Sequence, residues 1–119
     1  MQIVVLDTNA LLMPFEININ LDLALRGLLG DVKCVVPGPL IGELKHLDHK
    51  FSKAALELAR RYDILQTAAD GDDAVIEAAA MTGGYILTND RDLRTRARSL
   101  RIPLIYLRSG NHLVAESVR

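Results

Sequence analysis

Short apolar runs alternate along this chain with stretches whose apolar residues recur every three or four positions. "QIVVL" (2–6) is continuously apolar after its first residue and carries β-branched residues, as a strand covered on both faces should. "VKCVV" (32–36), "DILQT" (63–67), "YILT" (85–88) and "IPLIYL" (102–107) predict further strands, with Pro103 near the start of the last. Helical spacing fills the intervals. Leu21, Ala24, Leu25 and Leu28 share one face of a helix that Asn20 can cap and Gly30 can end. Pro39, after the turn "PGP" (37–39), suits the first turn of a helix carrying Glu43. Ala54, Ala55, Leu58, Ala59 and Tyr62 mark another helix, from Phe51. "DGDD" (70–73) reads as a helix start whose acids complement the N-terminal dipole, with Gly83–Gly84 as its stop. "DLRTRARSL" (92–100) predicts the last helix. Between Asp7 and the interruption at Pro14 the pattern assigns no helix of its own, only a cap or turn at Asp7 to Asn9, and after Gly110 a polar tail is expected.

Strand–helix–strand alternation on this scale predicts an α/β fold, with three α/β/α layers around a mostly parallel central sheet. Sites in such sheets form beyond the carboxyl ends of the strands. That rule directs attention to Asp7, which ends the first apolar run and is followed at once by Thr8 and Asn9. A carboxylate at the edge of a core is costly to desolvate unless it is paired or coordinated. Asp, Thr and Asn also favour helix N-termini, so a simple cap explains Asp7 equally well in isolation.

Composition narrows the class. The chain has 119 residues, half of them hydrophobic and only 4% aromatic, so an aliphatic core is expected. A single cysteine, Cys34, excludes an internal disulfide framework; it lies in an apolar strand and reads as a small buried hydrophobe. No run approaches the roughly eighteen apolar residues of a membrane span, and the N-terminus reads as strand rather than signal peptide. The expectation is a soluble, cytoplasmic protein with no membrane association.

Net charge is −1, yet the charges are segregated. Asp70, Asp72 and Asp73 cluster; Arg91, Arg94, Arg96, Arg98, Arg101 and Arg108 crowd the last third; Lys45, His46, His49, Lys50 and Lys53 form a second basic stretch. A metal pocket flanked by phosphate contacts accounts for this, and so do solvated helix faces. In a parallel sheet, Asp7 and the pair Asp90 and Asp92 lie at one edge, and Glu43 and Asp73 sit on helices that begin there. Each acid alone has a structural explanation as a cap, a first-turn acid or an exposed helix residue. Their joint placement is harder to explain as capping. Clustered carboxylates need protons or cations, and an all-oxygen set suits Mg²⁺ or Mn²⁺ rather than zinc.

Four segments in order resemble the PIN-domain nucleases: "LDTNALL" (6–12), "IGEL" (41–44), "DDAVIEAA" (72–79) and "LTNDRDL" (87–93). The run "DTNALLMPFE" is most similar to archaeal PIN proteins related to the rRNA-processing endonuclease of the small-subunit processome, with the VapC-type toxins as the other branch. The resemblance implies a single PIN-like domain over residues 1–119. It implies metal-dependent hydrolysis of RNA to 5′-phosphate and 3′-hydroxyl ends. Asp7, Glu43, Asp73 and Asp90 would bind Mg²⁺ or Mn²⁺, with Asp92 supporting. Thr8, Asn9, Thr88 or Asn89 would orient ligands or waters. Within "GDDAV", Asp73 is preferred to Asp72 because it directly precedes "AVIEAAA", which leaves Asp72 as a cap. RNA processing, a toxin with an antitoxin partner, and a non-catalytic RNA-binding scaffold in a processing assembly all remain open. A haloacid-dehalogenase-like phosphatase would need an acid where Asn9 stands.

Arg91, Arg94 and Arg98 share a helix face and are candidate RNA contacts, as is Lys45. His46 and His49 are spaced like a metal pair but read as solvated residues or phosphate contacts, and His112 reads as exposed. Glu77, one turn after Asp73, reads as a surface residue or a second acid reaching the pocket. The Leu-rich helix 21–29 reads as core, or as the interface of a homodimer.

Overall fold

The first apolar run forms strand β1 (Gln2–Leu6), with Val4, Val5 and Leu6 fully buried at the centre of the molecule. In the computed structural model, which describes residues 1–117, it is followed by helix α1 (Thr8–Glu16) and helix α2 (Leu21–Leu29). Strand β2 (Val32–Pro37), helices α3 (Pro39–His46) and α4 (Ser52–Arg60), and strand β3 (Asp63–Leu65) come next. Helix α5 (Gly71–Thr82), strand β4 (Tyr85–Leu87), helix α6 (Arg91–Ser99), and strands β5 (Leu104–Arg108) and β6 (His112–Glu116) complete the chain. The sheet order is β3-β2-β1-β4-β5-β6; β1 to β5 run parallel, and β6 pairs antiparallel with β5. Helices flank this sheet, α5 packing on β1, β2 and β4 and α2 on β2 and β6. The architecture is the expected three-layer α/β/α fold with a mostly parallel central sheet.

Local chemistry accounts for most boundaries. The Leu23 amide donates to Asn20 Oδ1 at 3.1 Å at the start of α2, and Pro39 occupies the first turn of α3. Gly83 ends α5 in the left-handed region (φ 69°), its amide donating to Ala79 O, a conformation that costs glycine nothing. At Gly84 the requirement is space. A Cβ there would stand 2.7 Å from Ile3 O, so only glycine lets β4 come in beside β1.

Two elements depart from expectation. Helix α1 forms where the pattern assigns no helix, and Pro14 lies inside it. Pro14 has no N–H to donate to Ala10 O, so α1 gives up one hydrogen bond there and is held by its buried packing instead. Ala10 to Pro14 are all buried, so α1 lacks the polar face that makes helical periodicity visible. The expected polar tail instead makes a hairpin. Ser109 and Gly110 take positive φ (55° and 75°), reversing the chain so that Arg108 pairs with His112 and Leu113 is buried. His112 itself is exposed, as expected. Among the described residues no helix is long and apolar enough to cross a membrane.

Candidate active site

Strand order reverses between β1 and β4: the chain leaves β1 for β2 on one side and returns to β4 on the other. Connections departing in opposite directions open a crevice at the carboxyl ends of those two strands. Asp7 directly follows β1, and Thr88, Asn89 and Asp90 directly follow β4.

Asp7 is both cap and pocket acid. It is the N-cap of α1, and its Oδ1 accepts the Ala10 amide at 2.7 Å. Its Oδ2 accepts the hydroxyl of Thr88. Only 6% of Asp7 and none of Thr88 is exposed. Burial pushes the Asp7 carboxyl up to about 6; the Thr88 and Ala10 hydrogen bonds pull the other way, and the charges of Asp72 and Asp90 add to the rise. The Thr88 oxygen also accepts the Asp90 amide at 3.0 Å, so one buried hydroxyl joins the two strand-end acids. Asp90 in turn caps α6, its Oδ1 accepting the Leu93 amide at 2.8 Å.

Glu43 projects from α3 toward the same edge, where the Thr8 hydroxyl donates to its Oε1 at 3.4 Å. Partial burial raises its carboxyl, with the charges of Asp72 and Asp70 adding and the Thr8 bond opposing. Asp72 is raised by partial burial and then by Asp90, Asp73 and Asp92, against the pull of Arg96. Asp72 therefore feels or imposes a charge on Asp7, Glu43 and Asp90 alike.

Within "GDDAV" the two acids differ in their surroundings: both are exposed, but Asp73 is bound to Arg96 at 2.7 Å, whereas Asp72 has no ion-pair partner among the described residues and feels the charges of Asp90, Asp73 and Asp92. Asp72 is not the cap; Asp70 holds the N-cap position of α5. Both acids occupy the first turn, so residue type and spacing alone could not separate them. Glu77 is not a pocket acid either. Its oxygens accept the Ala68 and Ala69 amides at 2.8 and 3.0 Å, bracing the loop that delivers α5. Asp92 lies exposed in the first turn of α6, and Asn9 is exposed on α1. Asn89 braces the edge: its Oδ1 accepts the Leu107 amide at 2.8 Å, tying the β4–α6 loop to β5. His49 accepts the Phe51 amide at Nδ1 and places Nε2 3.2 Å from Glu16, so it pairs with α1 rather than with His46.

A family profile described as "PIN like domain" matches residues 4–110. The chain belongs to the PIN-like domain family. A curated relative, ribonuclease VapC9 of Archaeoglobus fulgidus, is 32% identical over 65 residues, covering 55% of this chain and 48% of that protein. The chain thus spans about half the length of the curated relative it matches. Two solved structures share the fold. One, described as the PIN domain endonuclease Utp24, superposes with a TM-score of 0.84 at 22% identity, covering 98% of this chain and 92% of that one. The other, a domain of a functionally unknown protein from Methanocaldococcus jannaschii, gives 0.66 at 17% identity over 94% and 95% of the two chains.

In this PIN-like domain the carboxylates at the crevice offer only oxygen donors, which suits a hard divalent cation. Among the described residues no three His, Cys, Asp or Glu side chains stand close enough to enclose an ion by themselves. Mg²⁺ does not require such a cage, because it retains several waters and binds through one or two carboxylates together with substrate phosphate. Asp7, Asp90, Asp72 and Glu43 are the residues that could hold it. Of the expected basic contacts, Arg91 and Lys45 are exposed, Arg98 pairs with Glu116 at 2.7 Å, and Arg94 stacks on Tyr106. Tyr106, Arg108 and Glu116 were not singled out by sequence as a group. The signal for two of them was present, since residues 106 and 108 alternate onto one face of a strand.

Proposed function

We propose that this protein is an endoribonuclease that hydrolyses RNA phosphodiester bonds with Mg²⁺ or Mn²⁺, the whole of residues 1–119 acting as one PIN-like domain. The observation that carries the reading is Asp7: a buried carboxylate at the topological switch point, facing the charges of Asp72 and Asp90 and a carboxyl raised to about 6 by its surroundings. A carboxylate this costly to bury, with two more acids nearby, is relieved by a cation. When bound, Mg²⁺ or Mn²⁺ supplies Lewis-acid polarisation of a phosphoryl oxygen and acidifies a bound water.

The chain's own residues prepare that chemistry. Thr88 fixes the direction of the Asp7 carboxylate, and by accepting the Asp90 amide it sets the distance between the two strand-end acids. The Leu93 amide occupies one oxygen of Asp90 and orients the other. Thr8 steers Glu43 from the neighbouring turn. Asp72 takes the position that Asp73 was expected to fill, while Arg96 draws Asp73 aside.

The role we favour is maturation of rRNA or another RNA, within a processing assembly. A second reading, a VapC-type toxin held by an antitoxin, is favoured by the sequence relative named a VapC ribonuclease. Growth arrest on expression of the chain alone, relieved by an adjacent gene product, distinguishes the toxin. A homodimer remains compatible with either role, although Leu21 and Leu25 of α2 are spent on the core and only Leu23 stands out.

The test is cleavage of labelled single-stranded and structured RNA with Mg²⁺, with Mn²⁺ and with chelator. Cleavage should require metal and fall about a thousandfold in Asp7→Asn. Cleavage that persists in chelator or in Asp7→Asn rejects the assigned site, and metal binding without any cleavage favours the scaffold reading.

A further inference from the structure

Beyond the acids, a cluster of opposite sign runs along β5, from Arg108 at the strand's carboxyl end toward Glu116, which pairs with Leu104 at its start. The guanidinium carbons of Arg94, Arg98 and Arg108 lie 4.9, 5.9 and 5.8 Å from the centre of the Tyr106 ring. Arg108 Nη2 donates to the Tyr106 hydroxyl at 3.3 Å, and that hydroxyl lies 3.3 Å from Glu116 Oε1. Arg98 grips Glu116 with two bonds of 2.7 and 3.1 Å. Three guanidiniums around one ring thus share one carboxylate, and Arg98 takes that one. Among the described residues, Arg94 and Arg108 have no carboxylate partner of their own. The Nε of Arg94 is buried without a hydrogen-bond partner.

Contact with one aromatic ring offsets only part of the repulsion between such cations. An anion beside them would offset that excess charge. Planar guanidiniums suit phosphate oxygens, which they bind through paired N–H donors. The position of the cluster is also telling. The Arg94 amide bonds to Asp90 O, and Asn89 ties the end of β5, one residue before Arg108, to the loop carrying Asp90. One backbone bond and one side-chain bond therefore connect the segments carrying Arg94 and Arg108 to the loop of the acidic crevice.

We infer that Arg94 and Arg108, set against Tyr106 and braced by the Arg98–Glu116 pair, form a subsite for one or two backbone phosphates of the RNA strand flanking the scissile bond. This rests on the endoribonuclease reading for the nature of the strand. It also redistributes the face expected from the helix alone: Arg94 stays, Arg108 joins from β5, and Arg98 becomes a positioning residue.

The experiment measures binding of a single-stranded RNA of about ten nucleotides across roughly 50 to 200 mM salt, in the non-cleaving Asp7→Asn background. Arg94→Gln/Arg108→Gln should weaken binding about tenfold and lower the log–log salt slope by about 1.4, the value for two phosphate contacts on a single strand. Arg94→Lys/Arg108→Lys should retain the slope while losing part of the affinity. Arg60→Gln, at the opposite edge of the sheet, should leave both unchanged. A glutamine double variant that melts like its parent and keeps the parental slope overturns the inference. So does a lysine variant that loses as much slope as the glutamine one, which would mark the arginines as structural; this arm decides the matter if the glutamine variant unfolds. A wild-type protein that cleaves RNA while these slopes stay unchanged overturns the subsite alone. A parent that binds no RNA overturns the subsite and the nuclease reading together.

Discussion

The two flanks of the crevice solve opposite electrostatic problems. On one side Asp7, Glu43, Asp72 and Asp90 bring carboxylates together, with Arg96 the cation that opposes the rise of Asp72. Hydrogen-bond donors hold those carboxylates in place: the Ala10 and Leu93 amides and the hydroxyls of Thr8 and Thr88. On the other side Arg94, Arg98 and Arg108 crowd Tyr106 with Glu116 as their shared carboxylate. An aromatic face does there what amides and hydroxyls do for the acids. Each flank keeps an excess of one sign, and the β4–α6 loop joins them. On the proposed function a cation would relieve the first and a phosphate the second, so a metal-assisted phosphodiester substrate would relieve both at once.

The largest effect expected is in stability against pH. Asp7 titrates near 3.8 when unfolded and about 6 when folded. Between those values the folded state keeps a proton that the unfolded state has lost. The metal-free protein should therefore lose about 3 kcal/mol from this group as pH rises from about 4 to above 6, with no further loss beyond. Urea unfolding at stepped pH checks this, with Asp7→Asn as reference. If the variant shows the same decline, the acidic flank is not strained and the contrast with the arginines fails.

Next in size is the discrimination between Asp72 and Asp73. Asp72→Asn should cut metal-dependent RNA cleavage by about thirtyfold, whereas Asp73→Asn should change it less than twofold, because its partner Arg96 forms an exposed ion pair. The reverse order would restore Asp73 to the acidic flank and place Asp72 outside it.

Thr88→Val should then cost about 1–2 kcal/mol of folding stability, since it removes the buried hydroxyl serving both strand-end acids. Mn²⁺ titration by calorimetry should show about tenfold weaker binding, the scale of losing an orienting partner. Unchanged affinity would mean that the acids hold their geometry without the donor.

The smallest effect belongs to the basic flank. Glu116→Gln loosens Arg98, which braces the subsite, and should weaken RNA binding about two- to threefold at low salt, with the difference fading as salt rises. Stronger binding instead would show that Glu116 neutralises the arginines more than it positions them.

Much of the fold was readable because its strands are buried on both faces and punctuated by strong signals. "QIVVL" became β1 at its predicted bounds, and Asn20, Pro39 and Gly83 mark the helix ends where their chemistry places them. α1 was missed because a helix buried on nearly every side has no amphipathic period, and β6 because its five residues acquire a buried face only by pairing with β5. The acids were legible as a set, since topology alone sends Asp7 and Asp90 to one edge. The arginine cluster was not. Arg98, Arg108 and Glu116 lie on three elements whose mutual orientation the linear order does not contain.

Residue type and order thus carried the family and the chemistry proposed for it: strand-end acids, oxygen donors, and a PIN-like succession of segments. Those are local properties, carried by each residue and its near neighbours. Which of two adjacent aspartates pairs with Arg96, and which arginine pairs with Glu116, depended on how α5 packs beside α6 and on β6 folding back along β5. Side-chain direction and ion pairing are fixed by packing between distant segments, so they came into being only with the tertiary fold.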